Sequence, residues 1–176
     1  GVDPILAANA LDLEEARKSA LAAAMVDRLT LNPTRIEGIA KAVEEIVALP
    51  DPVGRVEGLV RRPSGIVVGR MHVPLGVIGM IYESRPNVTV DAAALCLKSG
   101  NATVLRGGKE AAHSNAALAE IVHLALAEAG LPIDSVVLSP SYAREATRAL
   151  IGLVGIIDVV IPRGGEGLVR FVAEHA

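Results

Sequence analysis

The chain has no tryptophan, one phenylalanine, two tyrosines and a single cysteine, Cys96, among 176 residues. With so few rings, the core has to be built from aliphatic side chains and alanine, in keeping with a hydrophobic fraction of 51%. One cysteine excludes an internal disulfide and a cysteine-based zinc cage, and makes a reducing cytoplasm the expected setting. Long apolar runs are also missing. None reaches the roughly 18–20 residues that span a bilayer, so no membrane is expected as a partner. The longest, Val73 to Tyr82, contains Pro74 and two glycines and is expected to be a buried strand. No basic leader with an apolar segment and a cleavage site is visible. Nor is there an excess of positive charge. The 17 basic and 20 acidic residues leave a net charge of −3, which excludes a general nucleic-acid surface. The mean hydropathy of +0.45 is high, and implies that some apolar surface is covered by a partner or by further chain.

Apolar periodicity divides what is present into three stretches: a helical segment over 1–53, a β-hairpin over 54–74 and an α/β domain over 75–176. In the first, Leu13, Ala16, Ala20 and Ala23 keep helical spacing behind Asp12 as a possible cap. Asn32-Pro33 predicts a second helix start, with Ile36, Ile39, Val43 and Ile46 on its apolar stripe. In the second, Val56–Arg62 and Ile66–Val73 are expected to pair across a Pro63-Ser64-Gly65 turn, a ribbon that needs a surface to lie on. In the third, strands are expected at Val77–Ile81, Thr103–Leu105, Val136–Leu138 and Ile156–Ile161. Helices are expected at Val88–Lys98, Glu110–Ala129, Ala143–Ile151 and Gly167–Glu174, with Gly100 and Gly130 as C-caps. Short β-rich runs alternating with helices imply a doubly wound parallel sheet, which binds ligands beyond the carboxyl ends of its strands.

Three loops follow strands and precede helices, so all three should share that rim. Tyr82-Glu83-Ser84-Arg85-Pro86-Asn87 offers Arg85 as a holder of carboxylate or phosphate and Asn87 as an amide donor to a developing oxyanion. Equally, Asn87 could cap the next helix and Arg85 face solvent. Arg106-Gly107-Gly108-Lys109 places two cations around a glycine turn before a helix start, an arrangement suited to a phosphate or a phosphorylated ribose, or simply to a tight turn with solvated charges. Arg163-Gly164-Gly165 repeats that logic and is the best local candidate for a pyrophosphate cradle. The usual dinucleotide fingerprint and the Walker loop are both absent. Cys96 lies mid-helix among alanines and leucines, where inert packing is expected. The histidines show no metal-ligand spacing, and His123, among apolar neighbours, is expected to be satisfied or half-exposed.

The run from Val73 to Ala102, with Tyr82-Glu83-Ser84-Arg85-Pro86-Asn87 at its centre, closely resembles the γ-glutamyl phosphate reductase family of the aldehyde dehydrogenase superfamily. Leu105-Arg106-Gly107-Gly108-Lys109-Glu110-Ala111, His113-Ser114-Asn115, Asp27-Arg28-Leu29-Thr30-Leu31, Leu49-Pro50-Asp51-Pro52-Val53-Gly54 and Ile161-Pro162-Arg163-Gly164-Gly165 extend the resemblance over essentially the whole chain. It implies an aldehyde dehydrogenase-like NADP-binding domain with amino-terminal helices and a projecting hairpin. It also implies NADPH-dependent reduction of γ-glutamyl 5-phosphate to glutamate 5-semialdehyde in proline biosynthesis, through a cysteine thiolate. By the same resemblance, Arg106 and Lys109 lie near the adenosine ribose and its 2′-phosphate, Gly164 and Gly165 near the pyrophosphate, and Asn87 or Arg85 against substrate. The 54–74 hairpin resembles the element through which such enzymes form homo-oligomers. Cys96 matches a helical family position. The family's nucleophile falls after Ala176, so this stretch alone is expected to be inactive, with a non-catalytic nucleotide-binding or oligomerisation module as the alternative.

Overall fold

A computed structural model describes residues 1–175. Three helices come first: α1 (Val2–Lys18), α2 (Ala23–Leu29) and α3 (Pro33–Ala48). The start of α3 is the expected one. The Asn32 side chain accepts from the Arg35 amide at 2.8 Å, and Pro33 fills the first helical position. The hairpin follows, β1 (Val56–Arg61) antiparallel to β2 (Val67–Met71), closed by an Arg62 N–H to Ile66 O bond of 2.8 Å. Every residue of both strands is exposed, including Leu59, Val60, Val67 and Met71.

From Val77 the chain alternates: β3 (Val77–Tyr82), α4 (Asn87–Lys98), β4 (Ala102–Arg106), a 3₁₀ turn at Lys109–Ala111, α5 (Ala112–Glu128), β5 (Val136–Leu138), α6 (Arg144–Ile151), β6 (Val159–Arg163) and α7 (Glu166–His175). Gly100 and Gly130 end α4 and α5 with φ of +73° and +69°, the left-handed turn that an L side chain resists. The strands form one parallel sheet in the order β5-β4-β3-β6. Alternation along β3 sends Tyr82 to one face and Ile81 to the other. Tyr82 packs with Val88, Ala92 and Ala93 of α4 and Leu126 of α5, whereas Ile81 packs with Leu150 and Ile151 of α6 and Val172 of α7. Helices therefore cover both faces, which makes the sheet doubly wound.

Three expectations need correction. Leu13, Ala16, Ala20 and Ala23 do not share one helix: α1 ends at Lys18, Ala20 turns the chain at a φ of +51°, and α2 starts at Ala23. The last strand starts at Val159, not Ile156, because the preceding residues are used in a tight turn. The amides of Ile156 and Ile157 both bond the Leu153 carbonyl, at 3.0 and 2.9 Å, and only at Asp158, whose N–H bonds Val77 O at 2.9 Å, does the chain join β3. Nor does Asp12 cap its own helix. α1 runs through it, and Asp12 is 1% exposed. Its carboxylate accepts instead from the backbone N–H groups of His113 and Ser114, at 3.0 and 2.8 Å, in the first turn of α5. Those are orphan donors of a helix start, satisfied here by a carboxylate a hundred residues earlier in the chain. One turn before it, Asn9 donates to Leu29 O and Ser114 Oγ and accepts from Leu31 N–H at 2.8 Å. These buried polar contacts fix α1 on α5, and Ile5, Leu31, Ile36, Ile39 and Leu118 pack around them.

Replacing Asp12 by Ala leaves the buried Ser114 N–H and the part-buried His113 N–H without an acceptor, and should cost about 2 kcal/mol in urea denaturation. Glu14→Gln, which breaks only the exposed pair with Lys18, should leave the midpoint unchanged.

Candidate functional site at the carboxyl rim

The sheet register decides where the three loops lie. Ile81 pairs with Arg106 and Tyr82 with Arg163, so β3, β4 and β6 all end at one level. Because β4 and β6 flank β3 on opposite sides, the chain direction across the sheet reverses at β3, the switch point where open α/β sheets bind ligands.

The loop after β3 is held from both sides by carboxylates. Ser84 is 3% exposed and has a φ of +42°, a strained conformation for a residue with a side chain. Its N–H and its hydroxyl both donate to Glu110 Oε1, at 2.7 and 2.6 Å. Glu83 turns to the other side, where its Oε2 accepts from Gly165 N–H at 2.9 Å, just before α7. Glu110, Ser84, Glu83 and Gly165 thus link all three loops in one chain of contacts. The glycines make room for it. A Cβ on Gly108 would run into the Glu110 carboxylate, and one on Gly164 into that of Glu83. A Cβ on Gly107 would press on Asn115 and on the Tyr82 ring. Three of the glycines singled out for phosphate binding leave space that the chain's own side chains fill. The Gly165 amide already has an anionic partner.

The cations are less committed. Arg106 donates through Nη2 to the Tyr142 carbonyl at 2.7 Å, while its Nε is buried without a partner. Beside Gly107, Asn115 Nδ2 is also buried and unpartnered. Its Oδ1 is taken by Thr89 Oγ1, which in turn bonds the Tyr82 hydroxyl. Lys109 is exposed and forms no ion pair among the described residues.

Arg85 and Asn87 face a different wall. They line a cleft of about 460 Å³ together with Asp27, Arg28, Arg35 and Asp91. Asn87 is the first residue of α4 rather than its cap, a place taken by Pro86, and its Nδ2 donates to Asp91 Oδ2 at 2.8 Å. Burial pushes the Asp91 carboxyl up, opposed by this hydrogen bond and by the guanidinium of Arg163. Arg163 therefore acts toward the Asn87–Asp91 side, while Arg106, Gly107, Gly108 and Lys109 form a separate group at the end of β4. Glu83, Ser84, Glu110 and Asp91 had not been singled out individually from sequence. Glu83 and Ser84 lie in the Tyr82–Asn87 loop that was, and Glu110 follows the Gly107-Gly108 turn.

Cys96 is 5% exposed, and burial pushes its thiol up. It has the character of a packed core residue, as expected. His123 is satisfied through Nε2 by Val136 O at 2.7 Å. No cluster of His, Cys, Asp or Glu among the described residues is placed to hold a metal.

Removing the Glu110 carboxylate should release the strained loop. Glu110→Ala is expected to cost about 2 kcal/mol and to speed amide exchange at Ser84 by at least tenfold, read by urea denaturation and hydrogen exchange. Glu110→Gln, which keeps an acceptor, should fall between.

No protein-family model matches the chain. Among curated proteins it is similar to the gamma-glutamyl phosphate reductase of Sorangium cellulosum (strain So ce56), with 64% identity over 172 residues, 98% of this chain and 40% of that protein. The enzyme of the same name from Desulfotalea psychrophila is 59% identical over 168 residues, 96% of this chain and 40% of that protein. The chain thus spans about two-fifths of the length of these relatives. Among solved structures, gamma-glutamyl phosphate reductase from Thermotoga maritima superposes with a TM-score of 0.95 at 44% identity, over 99% of this chain and 42% of that one. The Saccharomyces cerevisiae enzyme gives 0.90 at 33% identity, over 99% and 45%. A probable aldehyde dehydrogenase from Listeria monocytogenes EGD-e, with a TM-score of 0.67 at 17% identity, shares the fold. Sequence identity along nearly its whole length and a matching backbone lead to one conclusion: the chain belongs to the γ-glutamyl phosphate reductase family, built on the aldehyde dehydrogenase fold.

Proposed function

We propose that these residues form the cofactor-binding part of an NADPH-dependent reductase that converts γ-glutamyl 5-phosphate to glutamate 5-semialdehyde and phosphate, a cytoplasmic step of proline biosynthesis. The observation that carries this reading is the convergence of three strand-end loops at the switch point of the sheet, in a chain whose relatives bear that enzyme's name.

The residues fit a phosphorylated nucleotide best at the end of β4. Two buried donors lack partners there, Arg106 Nε and Asn115 Nδ2, and Lys109 adds an unpaired cation. Arg106 and Lys109 would hold the ribose and its 2′-phosphate, with Gly107 and Gly108 keeping the backbone low. Gly164 and Gly165, beside Arg163, would serve the pyrophosphate side, where Glu83 now supplies the negative charge. When bound, NADPH supplies a hydride. Asn87 or Arg85 would contact substrate. Cys96, buried and with a raised pKa, is no nucleophile, so this chain by itself is not expected to turn over an acyl phosphate. The same observation favours, as a second reading, a nucleotide-binding or oligomer-forming module without chemistry. The exposed apolar ribbon over 54–74 is the proposed contact between copies.

Titration of the 176-residue chain with NADPH, followed by cofactor fluorescence, tests the proposal. Binding is expected, weakened about tenfold by Lys109→Ala, as befits loss of one charge-assisted phosphate contact. NADH should bind both forms alike. No binding at millimolar NADPH would overturn the assignment.

A further inference from the structure

We propose that the cleft between the α2–α3 junction and the first turn of α4 recognises the head of an α-amino acid, with Arg28 and Arg85 taking the α-carboxylate and Asp91 the α-ammonium. The identity of the substrate rests on the reductase reading above. The recognition chemistry rests on the cleft itself.

The motif Asp27-Arg28-Leu29-Thr30-Leu31 forms one wall. Leu29 is fully buried and Leu31 nearly so, which anchors the segment and leaves Arg28 and Thr30 on the cleft side. Arg35 ties the wall together. Its guanidinium donates to the carbonyls of Asp27 and Thr30 and pairs with Asp27 Oδ1 at 2.7 Å. Asp27 and Arg35 therefore neutralise each other. Of the charges lining the cleft, Arg28, Arg85 and Asp91 remain, and none of them has an ion-pair partner among the described residues.

Asp91 is the telling member. Its carboxylate is withdrawn from water, yet its hydrogen-bond partner is the neutral amide of Asn87, on Oδ2, and Oδ1 accepts no hydrogen bond from the described residues. Arg163 offsets part of this burial without forming an ion pair, and a half-buried carboxylate of this kind gains further from an ammonium in contact. Two exposed guanidiniums without ion-pair partners among the described residues line the cleft, Arg28 at the end of α2 and Arg85 before α4, and a guanidinium offers a planar fork to a carboxylate. Two positive groups and one negative group around a volume of about 460 Å³ match a small zwitterion that carries a further anionic end. A simple anion would leave Asp91 facing a like charge. The Asn87 amide then acts as a positioning group, orienting Asp91.

The test is an NMR titration of the isotope-labelled chain with L-glutamate, which has the head group and a γ-carboxylate, beside glutarate, which keeps both carboxylates but lacks the ammonium, and inorganic phosphate. L-Glutamate is expected to shift the amides of Arg28, Arg85, Asn87 and Asp91, with an affinity in the millimolar range. Glutarate should bind at least tenfold more weakly. Arg28→Ala should lower L-glutamate affinity at least tenfold without altering the NADPH titration. Asp91→Asn should remove the preference for L-glutamate over glutarate while leaving glutarate binding in place, an effect that general unfolding would not produce. Equal binding of glutarate, stronger binding of phosphate to the same amides, or no shift at tens of millimolar L-glutamate would each overturn the proposal. A chain that binds NADPH but not L-glutamate refutes this inference alone, whereas one that binds L-glutamate but not NADPH refutes the cofactor assignment and leaves this one standing.

Discussion

The structure depends on β3 being hydrogen-bonded on both edges and buried on both faces. Parallel ladders to β4 and β6 set Arg106 and Arg163 level with Ile81 and Tyr82, and opposed burial of these last two residues prevents the strand from slipping. A shift by one residue would exchange the faces of Ile81 and Tyr82 and move both neighbouring loops off the rim. With the strand pinned, the chain leaves it in a single possible place, and the short turn to α4 has to absorb the change in direction. Ser84 takes the strain at its positive φ, and Glu110 holds it there through two hydrogen bonds.

That turn separates two environments. On its sheet-rim side the acids are already committed internally: Glu110 to Ser84, Glu83 to Gly165. What remains unsatisfied there is positive or hydrogen-bond donating, namely Arg106 Nε, Asn115 Nδ2 and Lys109. On its other side, Arg85 and Asn87 line a cleft with α2 and α3, where Arg28 of α2 and Asp91 of α4 have no ion-pair partner among the described residues. A rim of spare donors suits a polyanionic nucleotide, and a cleft of mixed charge suits a zwitterion. Four residues between β3 and α4 hold the two apart, so each half of the proposed reaction has its own electrostatic surroundings while sharing one backbone turn.

The glycine turns illustrate how far sequence reasoning reaches. Paired glycines after a strand point to close approach of something to the backbone, and that much is true of Gly107, Gly108 and Gly164. What approaches, however, is Asn115, Glu110 or Glu83, and the same pattern of residues accommodates either a ligand or an internal side chain. Asp12 makes the same point for helix starts. A carboxylate ahead of an apolar helical run is a favoured cap for that helix, but here α1 continues through Asp12 and its partners lie on α5.

Periodicity by itself determined the order and type of the elements from Pro33 onward, and the helical character of the segment before it, though not the break between α1 and α2. Helical spacing, alternation of apolar residues and the punctuation of Asn32-Pro33, Gly100 and Gly130 act within a few residues, through backbone sterics and local burial. The doubly wound parallel sheet follows from that alternation, and the family resemblance from the motifs it carries. The exact start of β6 and the partners of Asp12, Glu83 and Glu110 were decided only in the folded molecule, as was the placing of Arg28, Arg85 and Asp91 along one cleft. Each joins elements separated by many residues, and a hydrogen bond or an ion pair over that separation leaves no periodic trace along the chain.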